Sequence, residues 1–336
     1  MKKTRNRPFF VCNRGKICYN RNMETENKKK KNEGYLVSLL GEPTPAKASG
    51  LAFSMAAVLP VLLSFLFLFI ISVCGLAVGN YETRDWYLYS SYLLPQLGFA
   101  IVAWLYLRYL KTPVKTALKN QKCHYKYILI ACVLQIGLFC LSELNAWFLE
   151  WLDNFGYTDK GITLPSMDGF GFVGVLLVIG VLPAVFEEIM FRGVLLGGLK
   201  KSFSVPVAVL VCGALFALYH QNPAQTVYQF CCGAAFALVA VKSGSILPTV
   251  LSHFLNNALI VILYKIGLET VATPVLVVFM VVSALCLIGS LAYLIFFDKQ
   301  ENTERTKEKK NRFFLYAAVG IAVCALTWLG VLLMGM

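Results

Sequence analysis

Long stretches of this chain carry almost no charge. Apolar runs lie near residues 51–79, 87–110, 127–149, 170–191, 203–221, 225–241, 246–264, 271–297 and 313–336. Each approaches the about 20 residues that an α-helix needs to cross a bilayer. Backbone in lipid must satisfy its own hydrogen bonds, so runs of this kind fold as helices. The composition agrees, with 58% hydrophobic and 15% charged residues, against roughly 45–50% and 25% in a soluble domain. A disordered protein, a secreted disulfide scaffold and an ordinary soluble enzyme are excluded. The expected fold is all-α, a polytopic membrane helix bundle of about eight or nine transmembrane helices. The sixth run is the shortest and is expected to be partly re-entrant. No internal repeat is visible.

The net charge is +13, and residues 1–50 hold twelve Lys/Arg against four Glu, ahead of the first run. The remaining charge alternates between loops. The loop after the first run carries Glu82, Arg84 and Asp85. The next is basic, with Arg108, Lys111, Lys115, Lys119, Lys122 and Lys126. The one after the third run is acidic, with Glu150, Asp153, Asp159, Lys160 and Asp168. Arg192, Lys200 and Lys201 follow the fourth, and 298–312 is basic again. Positive loops stay on the cytoplasmic side, so the N-terminus is expected inside and the C-terminus outside. Residues 1–48 form a basic, disordered cytoplasmic tail in this reading. Lys28 to Lys31 are read as solvated or facing anionic lipid, and no nucleic-acid partner is expected. No cleavable signal peptide is expected here, and a start at Met23 would remove nothing downstream.

The eleven cysteines mostly lie in apolar runs, where they act as small apolar side chains. Cys12 and Cys18 have no second pair to complete a zinc site. Neither a disulfide framework nor a cysteine metal site is expected.

An ionisable side chain inside a span is costly and points to function. Four stand out: Glu187, Glu188, His220 and His253, the last two drawn from only three histidines in the chain. Glu188 and Arg192 are four apart with the acid first, the favourable order for an ion pair on one helix face. Glu187 is turned away by about 100° and stays free for other work. Phe216 and His220 share a face, as do His253 and Asn257. Glu187 and His220 each lie about sixteen residues from the turn near 203–204, so an antiparallel helix pair brings them to one height. Sixteen helical residues span about 24 Å. His253 lies only about ten residues from its own loop, so the heights agree only with projecting or tilted helices. Pro183, four residues before Glu187, is expected to kink the fourth helix.

Taken together, Glu187-Glu188-Ile189-Met190-Phe191-Arg192, Phe216 to His220 and His253 to Asn257 resemble the CPBP family of intramembrane proteases, the CAAX protease and bacteriocin-processing family. Its pattern is Glu-Glu-x-x-x-Arg, Phe-x-x-x-His and His-x-x-x-Asn/Asp on separate spans. The resemblance covers about residues 165–265 as a catalytic core, flanked by N-terminal helices over 49–160 and C-terminal helices over 266–336. It implies an endopeptidase acting on a membrane-associated peptide or protein.

In that reading Glu187 takes a proton from water with the help of His220. His253 and Asn257 donate to the developing oxyanion, a contribution of about 3–4 kcal/mol per donor. Glu188, Arg192 and Phe216 support them. Glu187, His220 and His253 also offer three ligands for zinc with water in the fourth position. The His-Glu-x-x-His motif of zinc proteases is absent, and the metal-free set is preferred. No Gly-x-Ser-x-Gly motif is present, and Ser252 points away from the face of His253. Short loops favour a bacterial cell membrane. The rival is a transporter, scaffold or immunity protein that keeps the pocket without hydrolysis.

Overall fold

A computed structural model describes residues 39–111, 123–159, 161–267, 273–299, 309 and 311–336. The tail up to residue 38, with Lys28 to Lys31, Cys12, Cys18 and Met23, lies outside them. So do Lys115, Lys119, Lys122, Lys160 and most of the basic stretch 298–312.

Every long apolar run is a helix, and among the described residues there is no strand. In chain order these are α1 (Pro45–Val73), α2 (Asp85–Leu110), α3 (Lys126–Leu138) with α4 (Leu141–Asp153), α5 (Gly171–Ser202), α6 (Val205–Tyr219), α7 (Thr226–Ser243), α8 (Leu247–Ile266), α9 (Thr273–Ala292) and α10 (Asn311–Gly335). Eight spans among the described residues are long and apolar enough to cross a membrane. Large apolar side chains such as Phe65, Val277 and Leu326 stand exposed on their outer faces, as a lipid solvent requires. The protein is a multi-pass membrane helix bundle.

The short helix is α6 rather than the run at 225–241. It stops because Gln221 takes a positive φ of 52° and Asn222 precedes Pro223, which pushes the chain out of the α region. The first helix starts at Pro45, earlier than the apolar run suggests, because proline is suited to a helix's first turn.

Small residues set the packing, as expected between helices in lipid. A Cβ on Gly320 of α10 would strike the Ser54 backbone of α1. Ser54 Oγ donates to the Tyr316 carbonyl at 2.7 Å and accepts from the Gly320 N–H at 3.1 Å. The first and last spans are thereby joined. The third span breaks between α3 and α4, where Ser283 of α9 repairs the ladder. Its Oγ donates to the Ile136 carbonyl (2.6 Å) and accepts from the Cys140 N–H (2.8 Å). Gly213 and Gly233 let α6 and α7 approach, since a Cβ on Gly233 would meet Gly213 Cα at 2.9 Å. The chain 161–170 crosses α2, held by the Ser166 N–H to Asp85 and by Tyr92 Oη to the Thr163 carbonyl. Among the described residues no cysteine takes part in a disulfide.

Candidate active site

Two stretches of α5 wind as π-helix, Leu176–Val181 and Ile189–Leu195. Wider turns of this kind occur often at functional sites. They bracket the segment Leu182–Glu188, which begins Leu182-Pro183 and ends Glu187-Glu188. Pro183 has no N–H for the carbonyl four residues back, that of Ile179. Asn257 Nδ2 of α8 donates to that carbonyl at 2.9 Å. The expected disturbance at Pro183 is therefore a widened turn whose freed acceptor anchors a site residue.

Glu188 and Arg192 meet as their spacing requires. Arg192 donates to Glu188 Oε1 at 2.6 Å, and both side chains are fully buried. A second guanidinium nitrogen donates to the Gly233 carbonyl at 3.1 Å, which the glycine contact between α6 and α7 brings within reach. The guanidinium lies 4.4 Å from the Phe216 ring centre and 5.2 Å from that of Phe236. This cation is held by charge, hydrogen bonds and two aromatic faces together.

From this anchor the site is assembled outward. His253 Nδ1 lies 3.0 Å from Glu188 Oε1. A carboxylate accepts, so Nδ1 carries the proton. His253 Nε2 then points toward Glu187 Oε2 at 3.9 Å. Glu187 Oε2 is buried and makes no hydrogen bond. His220 caps α6 with its Nδ1 at 2.8 Å from the Phe216 carbonyl. That oxygen also only accepts, so Nδ1 donates and Nε2 keeps a free lone pair. The Phe216 ring packs edge-on against His220 at 4.7 Å and lies 6.1 Å from His253.

Glu187, His220, His253 and Asn257 line one cavity of about 790 Å³, a volume suited to a ligand. Helices α5 and α6 thus bring Glu187 and His220 to one site. Among the described residues no hydrogen bond joins the two, and the histidine within ion-pair distance of Glu187 is His253. The π turn Ile189–Leu195 lies between Glu187 and the α5–α6 turn, and a wider turn rises less per residue. Asn257 reaches the cavity with one of its two amide hydrogens engaged by Ile179. Ser252 hydrogen-bonds to Gln135 Oε1 at 2.8 Å and has no bond to a histidine.

The wall, and the layer behind it, contain residues outside the three motifs. Asn256 Oδ1 accepts from Gln135 Nε2 (3.0 Å) and Tyr228 Oη (2.7 Å). Asn256 Nδ2 donates to Asn257 Oδ1 at 3.3 Å. Gln135 is a lone amide in an apolar run, a signal of the same kind as the lone histidines. Phe236 packs against both Arg192 and His253, but a phenylalanine in an apolar helix carries no such signal.

Among the described residues, no three His, Cys, Asp or Glu side chains converge as a metal-ligand set.

Residues 169–259 match the family model of the type II CAAX prenyl endopeptidases, described as Rce1-like. The match runs from the start of α5 through Asn257 and contains all three motifs. It bears out the resemblance to the CAAX protease family on the same residues. No curated protein and no solved structure matches the chain.

Proposed function

We propose that the chain is an intramembrane endopeptidase that hydrolyses a peptide bond of a membrane-associated peptide or protein. The observation that carries this is Glu187, whose buried Oε2 makes no hydrogen bond, lining one cavity with two histidines whose Nδ1 atoms are both held by fixed acceptors. His220 presents a lone pair at Nε2. His253 donates from Nδ1 to a buried carboxylate.

A water bridging Glu187 and His220 Nε2 attacks the scissile carbonyl carbon, and its proton passes to that pair. The carbonyl oxygen becomes an oxyanion, held by the remaining amide hydrogen of Asn257 and by His253 Nε2. To donate from Nε2 as well as Nδ1, His253 must carry both protons, and Glu187 and Glu188 flank the two nitrogens that would hold them. The proton taken from water then goes to the leaving amine as the C–N bond breaks. Such preorganised donors act strongly where bulk water is excluded. No step is assigned to a metal, because the candidate ligands do not form a set.

The family match makes a farnesylated CAAX peptide the first substrate to try. Purified protein is incubated with a quenched peptide of that kind and with its unprenylated twin, with and without a strong chelator. Cleavage of at least one peptide, unaffected by the chelator, is expected. Cleavage of neither would contradict the endopeptidase reading, and loss of cleavage on chelation with stoichiometric bound zinc would overturn the metal-free mechanism.

A further inference from the structure

Seven side-chain amides line the catalytic cavity: Gln96, Asn145, Gln221, Gln225, Gln229, Asn256 and Asn257. Among its lining residues the acid is Glu187, and no Lys, Arg or Asp is present. Several of these amides have internal work. Asn145 Nδ2 donates to the Ala224 carbonyl at 2.9 Å, and its Oδ1 accepts from the Tyr228 N–H at 3.3 Å. Asn256 and Asn257 are occupied as described above. Gln96 differs, because it is only 6% exposed and its Oε1 has no hydrogen-bond partner.

The place of Gln96 gives that orphan oxygen meaning. Tyr92, Gln96 and Phe99 fall at i, i+4 and i+7 on α2, which is one helix face. Tyr92 and Gln96 line the catalytic cavity. Phe99 packs 5.0 Å from the ring of Tyr219, the residue before His220, and 6.2 Å from that of Phe191. Gln96 therefore lies about one helical turn from Phe99, which packs on the wall that carries the proposed water-activating pair. Gln96 also lines a second, apolar pocket of about 440 Å³, with Leu93, Leu97, Leu182 and Phe186. It is the residue common to both cavities.

An unpaired buried carbonyl is a cost to the resting fold. A peptide substrate removes that cost, since it carries an N–H at nearly every residue flanking its scissile bond. Resting on the endopeptidase reading, we propose that Gln96 is a substrate-positioning residue. Its Oε1 accepts a hydrogen bond from a backbone N–H of the bound peptide close to the scissile bond. The amide-rich wall then holds the main chain of the substrate rather than an ionic side chain.

Gln96→Met keeps the length of the side chain and removes the acceptor. The probe is a fluorescent farnesylated CAAX peptide. Its Kd is measured on full-length protein carrying Glu187→Gln, and kcat/KM is measured in the active background. Gln96→Met is expected to weaken both about 5–10-fold, the worth of one neutral hydrogen bond. It is also expected to leave the unliganded protein at least as resistant to unfolding, because a buried orphan is removed. Peptides with a single N–H replaced by an ester oxygen locate the contact. One such replacement weakens binding to the Gln96 protein and leaves binding to the Gln96→Met protein unchanged. Unchanged Kd and kcat/KM in Gln96→Met, or ester effects equal in both proteins, would overturn the proposal. A failure of the endopeptidase reading shows separately, as cleavage of neither peptide by the wild-type protein, while the Kd comparison still reads Gln96.

Discussion

Truncating Arg192 to alanine removes the cation on which the site is built. The guanidinium is fully buried and donates to Glu188 at 2.6 Å and to the Gly233 carbonyl at 3.1 Å. Its loss leaves Glu188, also fully buried, with His253 beside it and no fixed positive charge. Breaking a buried ion pair from one side costs about 3–5 kcal/mol, because the remaining charge is uncompensated. The space between Phe216 and Phe236 is emptied as well, so the upper end of that range is expected for Arg192→Ala. Arg192→Lys keeps a charge but not the planar fork that serves both acceptors. It loses one charge-assisted hydrogen bond, about 1.5–3 kcal/mol. The double variant Glu188→Gln/Arg192→Ala should cost less than the two single changes added together, since no orphaned carboxylate remains. Unfolding free energies in mixed detergent micelles measure wild type and the four variants. An Arg192→Ala protein within about 1 kcal/mol of wild type, against the 3–5 kcal/mol expected, or strict additivity in the cycle, would refute the reasoning.

Further outcomes follow from the same geometry. His220→Ala and His253→Ala should each lower kcat by about 10²–10⁴-fold, and combining them should add little, as for residues that act as one unit; multiplicative losses in rate assays would separate their roles. Pro183→Ala returns an N–H to the Ile179 carbonyl, which competes with Asn257. Its kcat should fall while its stability is kept or raised, and an unchanged kcat would detach Asn257 from the reaction. Gly320→Leu forces a side chain into the Ser54 backbone and should cost about 1–3 kcal/mol, read by thermal denaturation; a neutral effect would mean that α1 and α10 do not meet as described.

The helical class was legible because lipid leaves so few choices. A charge-free run of about 20 residues folds as a helix almost regardless of detail. The Glu188–Arg192 pair was equally legible, since i,i+4 geometry is local. Other features depend on contacts between distant segments. The short helix proved to be α6, because its end is fixed by a positive φ at Gln221 and by Pro223, not by where hydropathy falls. His253 bonding to Glu188, with its other nitrogen toward Glu187, depends on how α8 meets α5. Counting residues from one turn puts Glu187 and His220 at one height, and both line the cavity. Such counting assumes a uniform rise, and the π turns of α5 are not legible in it. Pro183 was read as a kink, yet its larger consequence is the freed carbonyl that Asn257 takes. Gln96 carries no signal in the sequence, where it is a single amide among tyrosines and leucines, and only the fold leaves its oxygen without a donor.

The central claim is that Glu187 activates water. It is tested most directly by comparing wild type and Glu187→Gln for cleavage and for binding of the same farnesylated CAAX peptide. The account predicts that kcat/KM falls by at least about 10²-fold while Kd stays within a few-fold, since glutamine keeps the shape and loses the base. Undiminished cleavage by the Glu187→Gln protein would contradict it.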